Sequence, residues 1–225
     1  MLFKILEPLG AILSFVNYKR DRIHLSKLVS NGLKIGNNVY IGPSVIFDEG
    51  YPYLIEIGNN CRISSGTIIL SHDASTFRDL GVTRISPVKI LEGSFIGVNS
   101  IILPGVTIGP NAVIAAGSVV NRDIGEGKIA AGNPARPYGN YSELVQKYVE
   151  TVQNSKIFTL HDIENGLVTP KDILEALHKK LALFVSEIPA YDPYYVNTDM
   201  DYMRKKAKDD VNDLIKGLDP KPYDE

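Results

Sequence analysis

The chain has 225 residues, 24 Lys and Arg against 26 Asp and Glu, a net charge of −2 and a single cysteine. That balance gives no global electrostatic reason to bind nucleic acid. One cysteine forms no intrachain disulfide, which fits a reducing, cytoplasmic setting, and the length allows one large domain or one domain with appendages.

The first stretch, "MLFKILEPLGAILSFVNYKRDR", holds Lys4, Glu7 and Pro8 among its apolar residues and is too short and too polar to span a bilayer. Residues 1–32 are expected as a helical segment, a short amphipathic helix packed on the main domain. Lys19, Arg20 and Arg22 behind it also suit peripheral association with a membrane surface.

From Leu33 the chain repeats in sixes: "IGNNVY" from Ile35, "IGPSVI" from Ile41, "FDEGYP" from Phe47 and, after a slip, "IGNNCR" from Ile57 and "ISSGTI" from Ile63. The first position is aliphatic or aromatic, the second often Gly, and the fifth small or β-branched. A period of six is neither helical nor alternating. It suits a short flat strand followed by a tight turn, with Gly and Asn tolerating positive φ at the turns. Three units make a coil of about 18 residues, and stacked coils bury a ladder of first-position side chains. Cys61 falls at a fifth position and reads as a buried filler rather than a nucleophile.

Between Ile69 and Ile90 the rhythm stops. The step is 21 residues, three more than a full coil, and the interrupting segment is polar, with Asp73, Arg78, Asp79 and Arg84. Polar loops on a rigid solenoid are where function concentrates. His72 stands at the root of the break and is the one histidine in the repeat region. A neutral imidazole there suits a general base taking a proton from a hydroxyl or amine; a surface histidine at a turn fits the same position. Asp73, the nearest carboxylate in sequence, is a candidate to help bind the acceptor, with a solvated turn residue as the plain alternative; neighbours on a strand point to opposite faces, so direct pairing with His72 is not expected. Asp48 and Glu49, about one coil earlier, are placed to line an acceptor pocket, and Arg78 and Arg84 to grip an anionic acceptor.

The sixes resume with "ILEGSF" from Ile90 and run through "IGVNSI", "ILPGVT", "IGPNAV", "IAAGSV" and "VNRDIG". The stretch "IAAGNPARPYG" from Ile129, with two prolines and two glycines, reads as a poor strand and a good exit turn. Residues 140–225 are expected as a helical extension. One helix begins near Tyr141, a second covers "TPKDILEALHKKLALFVSEI" with Thr169 as cap, and a third runs from about Met200 to Leu218. The Pro- and Tyr-rich "PAYDPYYVNTD" connects the last two.

A dozen sixes in near-constant phase over Leu33 to Gly139 resemble the hexapeptide-repeat, or isoleucine-patch, acyltransferases. The resemblance implies a mainly β fold, a left-handed parallel β-helix over residues 33–139, and an acetyl-CoA-dependent transfer without a resident metal. It implies that "LSHDAS" carries the catalytic base, His72. It implies that the pantetheine arm lies along the later coils by Val98, Ala116, Asn121 and Arg122, and that Arg136 in "GNPARP" meets the nucleotide part. Lys128 is a further phosphate candidate. Some members hold the sugar through an asparagine where this chain has Ser44. Family members form trimers with the active site between neighbours, so a homotrimer is expected here.

The leading function is O-acetylation of a carbohydrate hydroxyl, on a polysaccharide, lipopolysaccharide or nucleotide-sugar precursor. N-acetylation of an amino sugar or other small amine is the alternative, and a non-catalytic scaffold a third. A zinc carbonic anhydrase on the same β-helix needs three convergent histidines, and the repeat region has one. Ice binding needs a regular Thr ladder, which the sequence lacks.

Overall fold

The computed structural model describes residues 16, 17, 19–153, 156–159, 166–178, 183–186, 195, 196, 199 and 205. The chain divides into two compact units, Met1–Tyr141 with Pro193–Asn197, and Ser142–Asp192 with Thr198–Glu225. The stretch read as an amphipathic helix packed on the main domain, with a membrane surface as the alternative, lies largely outside the described residues. Its end is helical over 19–30 (α1) and buries Leu25 and Leu28 against the core of the first unit.

The repeat winds as three parallel sheets. The first coil gives β1 (Lys34–Ile35), β2 (Val39–Ile41) and β3 (Ile46–Phe47); the second gives β4 (Ile55–Ile57), β5 (Arg62–Ile63) and β6 (Ile68–Ile69). The third gives β9 (Val88–Ile90), β10 (Phe95–Ile96) and β11 (Ile101–Ile102), and the fourth β12 (Thr107–Ile108), β13 (Val113–Ile114) and β14 (Val119–Val120). Each sheet takes one strand from every coil, so β1-β4-β9-β12 form one face and β3-β6-β11-β14 another. In register, Ile41 meets Ile63, Ile63 meets Ile96 and Ile96 meets Ile114, and the same stacking repeats on the other two faces. Those first-position side chains are buried: Ile57, Ile63, Ile69, Ile90, Ile96, Ile102 and Ile108 are at most 1 % exposed. Most fifth positions are buried as well, Val45 only in part, and where the buried ones are polar their hydroxyls are bonded. Ser94 Oγ donates to the Gly109 carbonyl at 2.7 Å and Thr67 Oγ1 to the Ser64 carbonyl at 2.7 Å. Cys61 packs there as a filler, its Sγ 3.1 Å from the Leu91 carbonyl and its thiol pushed up to about 11 by burial.

The turns divide two duties that the sequence pattern merges. Positive φ belongs to the fourth position of the regular sixes, held by Asn38, Ser44, Asn60, Asn99 and Asn111 and by Gly66, Gly93, Gly105 and Gly117; the units from Phe47, Ile69 and Val120, where the chain leaves the regular turn, do not share it. The second-position glycines have ordinary φ and are small for a different reason: the next coil's backbone lies against them. A Cβ on Gly97 would stand 2.4 Å from the Ala116 nitrogen.

The two interruptions fall at the same corner, after the β3-β6-β11-β14 face. Ile102 and Ile108 are six residues apart in an unbroken turn. Their register partners Ile69 and Ile90 are 21 apart, and Phe47 and Ile57 are ten apart. The long break is therefore an excursion of fifteen residues between adjacent sides of one coil, not a coil overlong by three. It rises through β7 (His72–Asp73), a short helix α2 (Phe77–Leu80) closed by Gly81 in the left-handed region, and β8 (Arg84–Ile85), which pairs antiparallel with β7.

Three expectations need correction. The "IAAGNPARPYG" stretch is a hairpin, β15 (Lys128–Gly132) with β16 (Ala135–Asn140), that continues the β13 sheet. Pro137 is tolerated because β16 is the edge strand, where a missing N–H costs no ladder bond. In the second unit, α3 (Tyr141–Gln153) forms as expected, but of the second expected helix only Pro170–His178 (α4) is described as helical, and the stretch ends in a strand. There the β-branched and aromatic run Leu183–Ser186 (β18) pairs in parallel with β17 (Lys156–Thr159), so this unit is mixed α/β. Thr169 does cap α4: its Oγ1 and Asp172 Oδ2 lie 2.6 Å apart and the Asp172 N–H points back to Oγ1. Finally, the connector supplies β19 (Tyr195–Val196), antiparallel to β2, which covers the open edge of the first coil. The third helix expected from Met200 to Leu218 lies outside the described residues apart from Lys205.

Gly97→Ala should lower unfolding free energy by about 1–3 kcal/mol, because the obstacle is backbone and cannot rotate away. Gly125→Ala, with only a lysine methylene at 3.7 Å, should stay within about 0.5 kcal/mol of wild type. Ser44 holds φ 58. Left-handed backbone costs an L-residue about 1–2 kcal/mol and glycine's extra unfolded entropy takes back about 0.4–1, so Ser44→Gly should gain about 0.5–1 kcal/mol. Urea unfolding of the three variants checks all three values.

Candidate active site

The two interruptions stack one coil apart, and this brings Asp48 to His72. Asp48 follows β3, and its backbone N–H still donates to the Ile69 carbonyl, so the residue is anchored in the ladder before the chain leaves it. The residue is 4 % exposed. Oδ1 accepts from the Gly50 N–H at 3.0 Å, and Oδ2 accepts from the Ser71 N–H at 2.9 Å and meets His72 Nδ1. Burial pushes this carboxyl up, but the hydrogen bonds from His72, Ser71 and Gly50 outweigh it and hold the group below the usual carboxylate range.

An ionised carboxylate only accepts, so Nδ1 of His72 carries a proton, and in the neutral ring Nε2 is the nitrogen that has the lone pair. The His72 side chain is 37 % exposed, and its Nε2 bonds no described residue. The Tyr51 ring flanks the imidazole with centroids 5.6 Å apart, and Ser71 Oγ donates to the Tyr51 carbonyl at 3.1 Å. The arrangement is a buried anion, an oriented imidazole and an outward basic nitrogen, which is the geometry of a general base.

The other sequence candidates fall into separate places. Asp48 lies beneath His72 instead of opening onto a pocket. Asp73 points away, accepting from the Ser75 N–H at 2.8 Å, and that bond holds its carboxyl low. Arg84 pairs across β7–β8 with Asp73, at the loop root, and its guanidinium overhangs Gly105. Arg78 sits on α2, exposed, 3.9 Å from Asp79. Asn121 and Arg122 follow β14 at the same corner as the insertions, and Arg136 Nη1 on β16 is 3.5 Å from Asn121 Oδ1. Lys128 is engaged with Asn140 Oδ1 at 2.7 Å. Val98 and Ala116 stack on the preceding corner, where the Gly117 N–H donates to the Val98 carbonyl. One face of the solenoid therefore separates them from His72 within a single chain. Ser71 and Tyr51 escape a reading of the repeat alone. The signal for Tyr51 is the ten-residue step from Phe47 to Ile57, four more than the period allows; Ser71 stands at the start of the long break, beside His72.

Residues 87–122 match the family described as "Bacterial transferase hexapeptide (six repeats)", and residues 32–71 match "Hexapeptide repeat of succinyl-transferase". "Putative acetyltransferase YvoF" of Bacillus subtilis (strain 168) is 32 % identical over 121 residues, covering 54 % of this chain and 68 % of that protein. "Protein CapG" of Staphylococcus aureus is 35 % identical over 149 residues, covering 63 % of this chain and 86 % of that one. Among solved structures, a maltose O-acetyltransferase from Clostridium difficile 630 is 30 % identical, with a TM-score of 0.42 over 50 % of this chain and 72 % of that chain. The repeat matches and the likeness to YvoF and CapG, each over two thirds or more of its own length, show that the chain belongs to the hexapeptide-repeat acyltransferases.

Asp48 titrates lower in the folded chain than in the unfolded one. It therefore adds stability at neutral pH, and that contribution disappears as pH falls through its depressed folded value. Asp48→Asn should be less stable than wild type at pH 7 and should show a shallower loss on acidification. Urea midpoints from pH 7 to pH 3 that run parallel for the two proteins would refute this account of the carboxylate.

Proposed function

We propose that this protein is an acetyl-CoA-dependent O-acetyltransferase acting on a carbohydrate hydroxyl, with His72 as the general base. The observation that carries the reading is the Asp48–His72 pair at the root of the interrupting loop, with Nε2 left for substrate. In this mechanism Nε2 takes the proton of the acceptor hydroxyl as its oxygen attacks the thioester carbonyl. The tetrahedral adduct collapses, the C–S bond breaks, and the imidazolium returns its proton to the departing thiolate of CoA. Asp48 holds the ring in the Nδ1–H tautomer and offsets the transient positive charge.

The site is completed by assembly. The outward residues of the β3-β6-β11-β14 face are Ile46, Ile68, Ile101 and Val119, stacked in register, and Ile46 is 53 % exposed. The β1-β4-β9-β12 face carries Lys34, Glu56, Lys89 and Thr107 outward, a ladder suited to water. An aliphatic stripe on a flat sheet favours cover by another chain. A closed ring of three copies around that face sets the Val98–Ala116 corner of one protomer beside the His72 corner of the next. In the proposed trimer the pantetheine arm runs by Val98 and Ala116, where the small residues Ala115 and Ala116 let it approach the backbone, and Asn121, Arg122 and Arg136 lie within reach of the CoA phosphates. Left-handed winding, as in the family, belongs to the same reading.

Acetyl transfer from acetyl-CoA to a panel of glycosides and amino sugars, followed by mass spectrometry, tests the function. His72→Ala should lose about 10²–10⁴-fold in kcat with the fold intact, and Asp48→Asn about tenfold or more. Transfer undiminished in His72→Ala would overturn the assignment. The Ile68→Glu, Ile101→Glu double variant should scatter light as a monomer and lose transfer; a monomeric wild type with full activity would overturn the shared site.

A further inference from the structure

We propose that Tyr51 and Tyr53 form an aromatic shelf that stacks the pyranose ring of the acceptor and presents one of its hydroxyls to His72. The proposal rests on the O-acetyltransferase reading and sharpens it, because it names a cyclic sugar as the substrate class.

The shelf comes from the shorter interruption. Four extra residues after β3 let the chain make one turn of 3-10 helix, Pro52–Leu54, before it rejoins the ladder at β4. That turn is held from several sides. Ser71 Oγ bonds the Tyr51 carbonyl, Pro52 is buried, and the end of α1 leaves room for Tyr53 through Gly32, where a Cβ would stand 2.8 Å from the Tyr53 Cβ. The two rings meet edge to face, with centroids 6.3 Å apart and planes at 77°. Tyr51 in turn flanks His72 at 5.6 Å and 59°. The order in space is base, first ring, second ring.

Nothing in the solenoid core asks for these side chains. Tyr53 is 55 % exposed, and neither phenol hydroxyl bonds a described residue. Rigid, half-open aromatic rings beside a basic nitrogen match one chemical class well. The axial C–H face of a pyranose is apolar and weakly positive, and it complements the negative face of an aromatic quadrupole. The free phenol hydroxyls can bond equatorial sugar hydroxyls at the rim. An acyclic polyol or a linear amine offers no such face, and ordering its torsions on binding costs entropy that a ring does not lose.

Saturation-transfer NMR with methyl glucoside, methyl galactoside and methyl N-acetylglucosaminide, against xylitol, reads the shelf directly. Wild type should transfer saturation to ring C–H protons of at least one pyranoside and not to xylitol. Tyr53→Leu, which keeps bulk, and Tyr53→Ala should each weaken pyranoside binding about tenfold. In the transfer assay the same variants should raise the acceptor KM about tenfold, with kcat within about threefold. Pyranoside affinity equal to wild type in either variant with native circular dichroism overturns the shelf. So does xylitol bound as well as the pyranosides, or no pyranoside bound at all. His72-dependent acetyl transfer that persists beside such a result would leave the enzymatic reading standing and remove only the shelf.

Discussion

Backbone lying against backbone at the corners is the constraint from which the rest of this structure follows. Successive coils are joined by parallel hydrogen bonds along all three faces, so each turn must pass directly over the one below. Gly97 has no room for a methyl group, with the Ala116 nitrogen where its Cβ would be. The fourth residue of each regular six turns through the left-handed region, which selects Asn and Gly and leaves Ser44 under strain. With the corners fixed, the first-position side chains have one direction left, inward, and stack as a continuous aliphatic ladder. The fifth positions are small for the same reason, and their hydroxyls find carbonyls a few residues away or on the next coil.

A core so regular offers no polar cluster of its own, since each coil repeats the apolar ladder of the last. Chemistry needs residues outside the period, and both departures fall at one corner on successive coils. That coincidence makes Asp48 and His72 neighbours although 24 residues separate them in the chain. The buried carboxylate stays ionised because the hydrogen bond from His72, joined by the backbone N–H groups of Ser71 and Gly50, replaces the water it lost. An anion so held can fix an imidazole without being neutralised by it.

The repeat makes much of this legible. The period of six, the aliphatic first position and the break at His72 are visible in the letters, and they lead to stacked coils with a loop at a corner. The carboxylate partner is less accessible. Asp73 adjoins His72 in sequence, but strand alternation sends it to the other side, where Ser75 takes it up. Finding Asp48 requires the register Phe47↔Ile69, and the four-residue slip before Ile57 hides that register from simple counting. The size of the long loop is hidden for a related reason. Ile69 and Ile90 lie on adjacent sides of one coil, and a linear count cannot tell that from a full turn. The hairpin after Ile129 is masked by its prolines, which an edge strand accommodates. The strand at Leu183–Ser186 is masked by apolar spacing that also suits a helix.

Where the insertions sit also bears on how such a scaffold changes its chemistry. Residues added within a strand would shift every later side chain between core and solvent, because strand side chains alternate. Residues added at a corner leave the register intact, as Phe47↔Ile69↔Ile102↔Val120 runs unbroken past both interruptions. The ladder therefore tolerates four extra residues in one coil and fifteen in the next. The stability of the solenoid and the content of the site are thus nearly independent. Tyr51, Tyr53 and the α2 loop can vary while Asp48 and His72, one residue and three residues past the ladder, remain fixed to it.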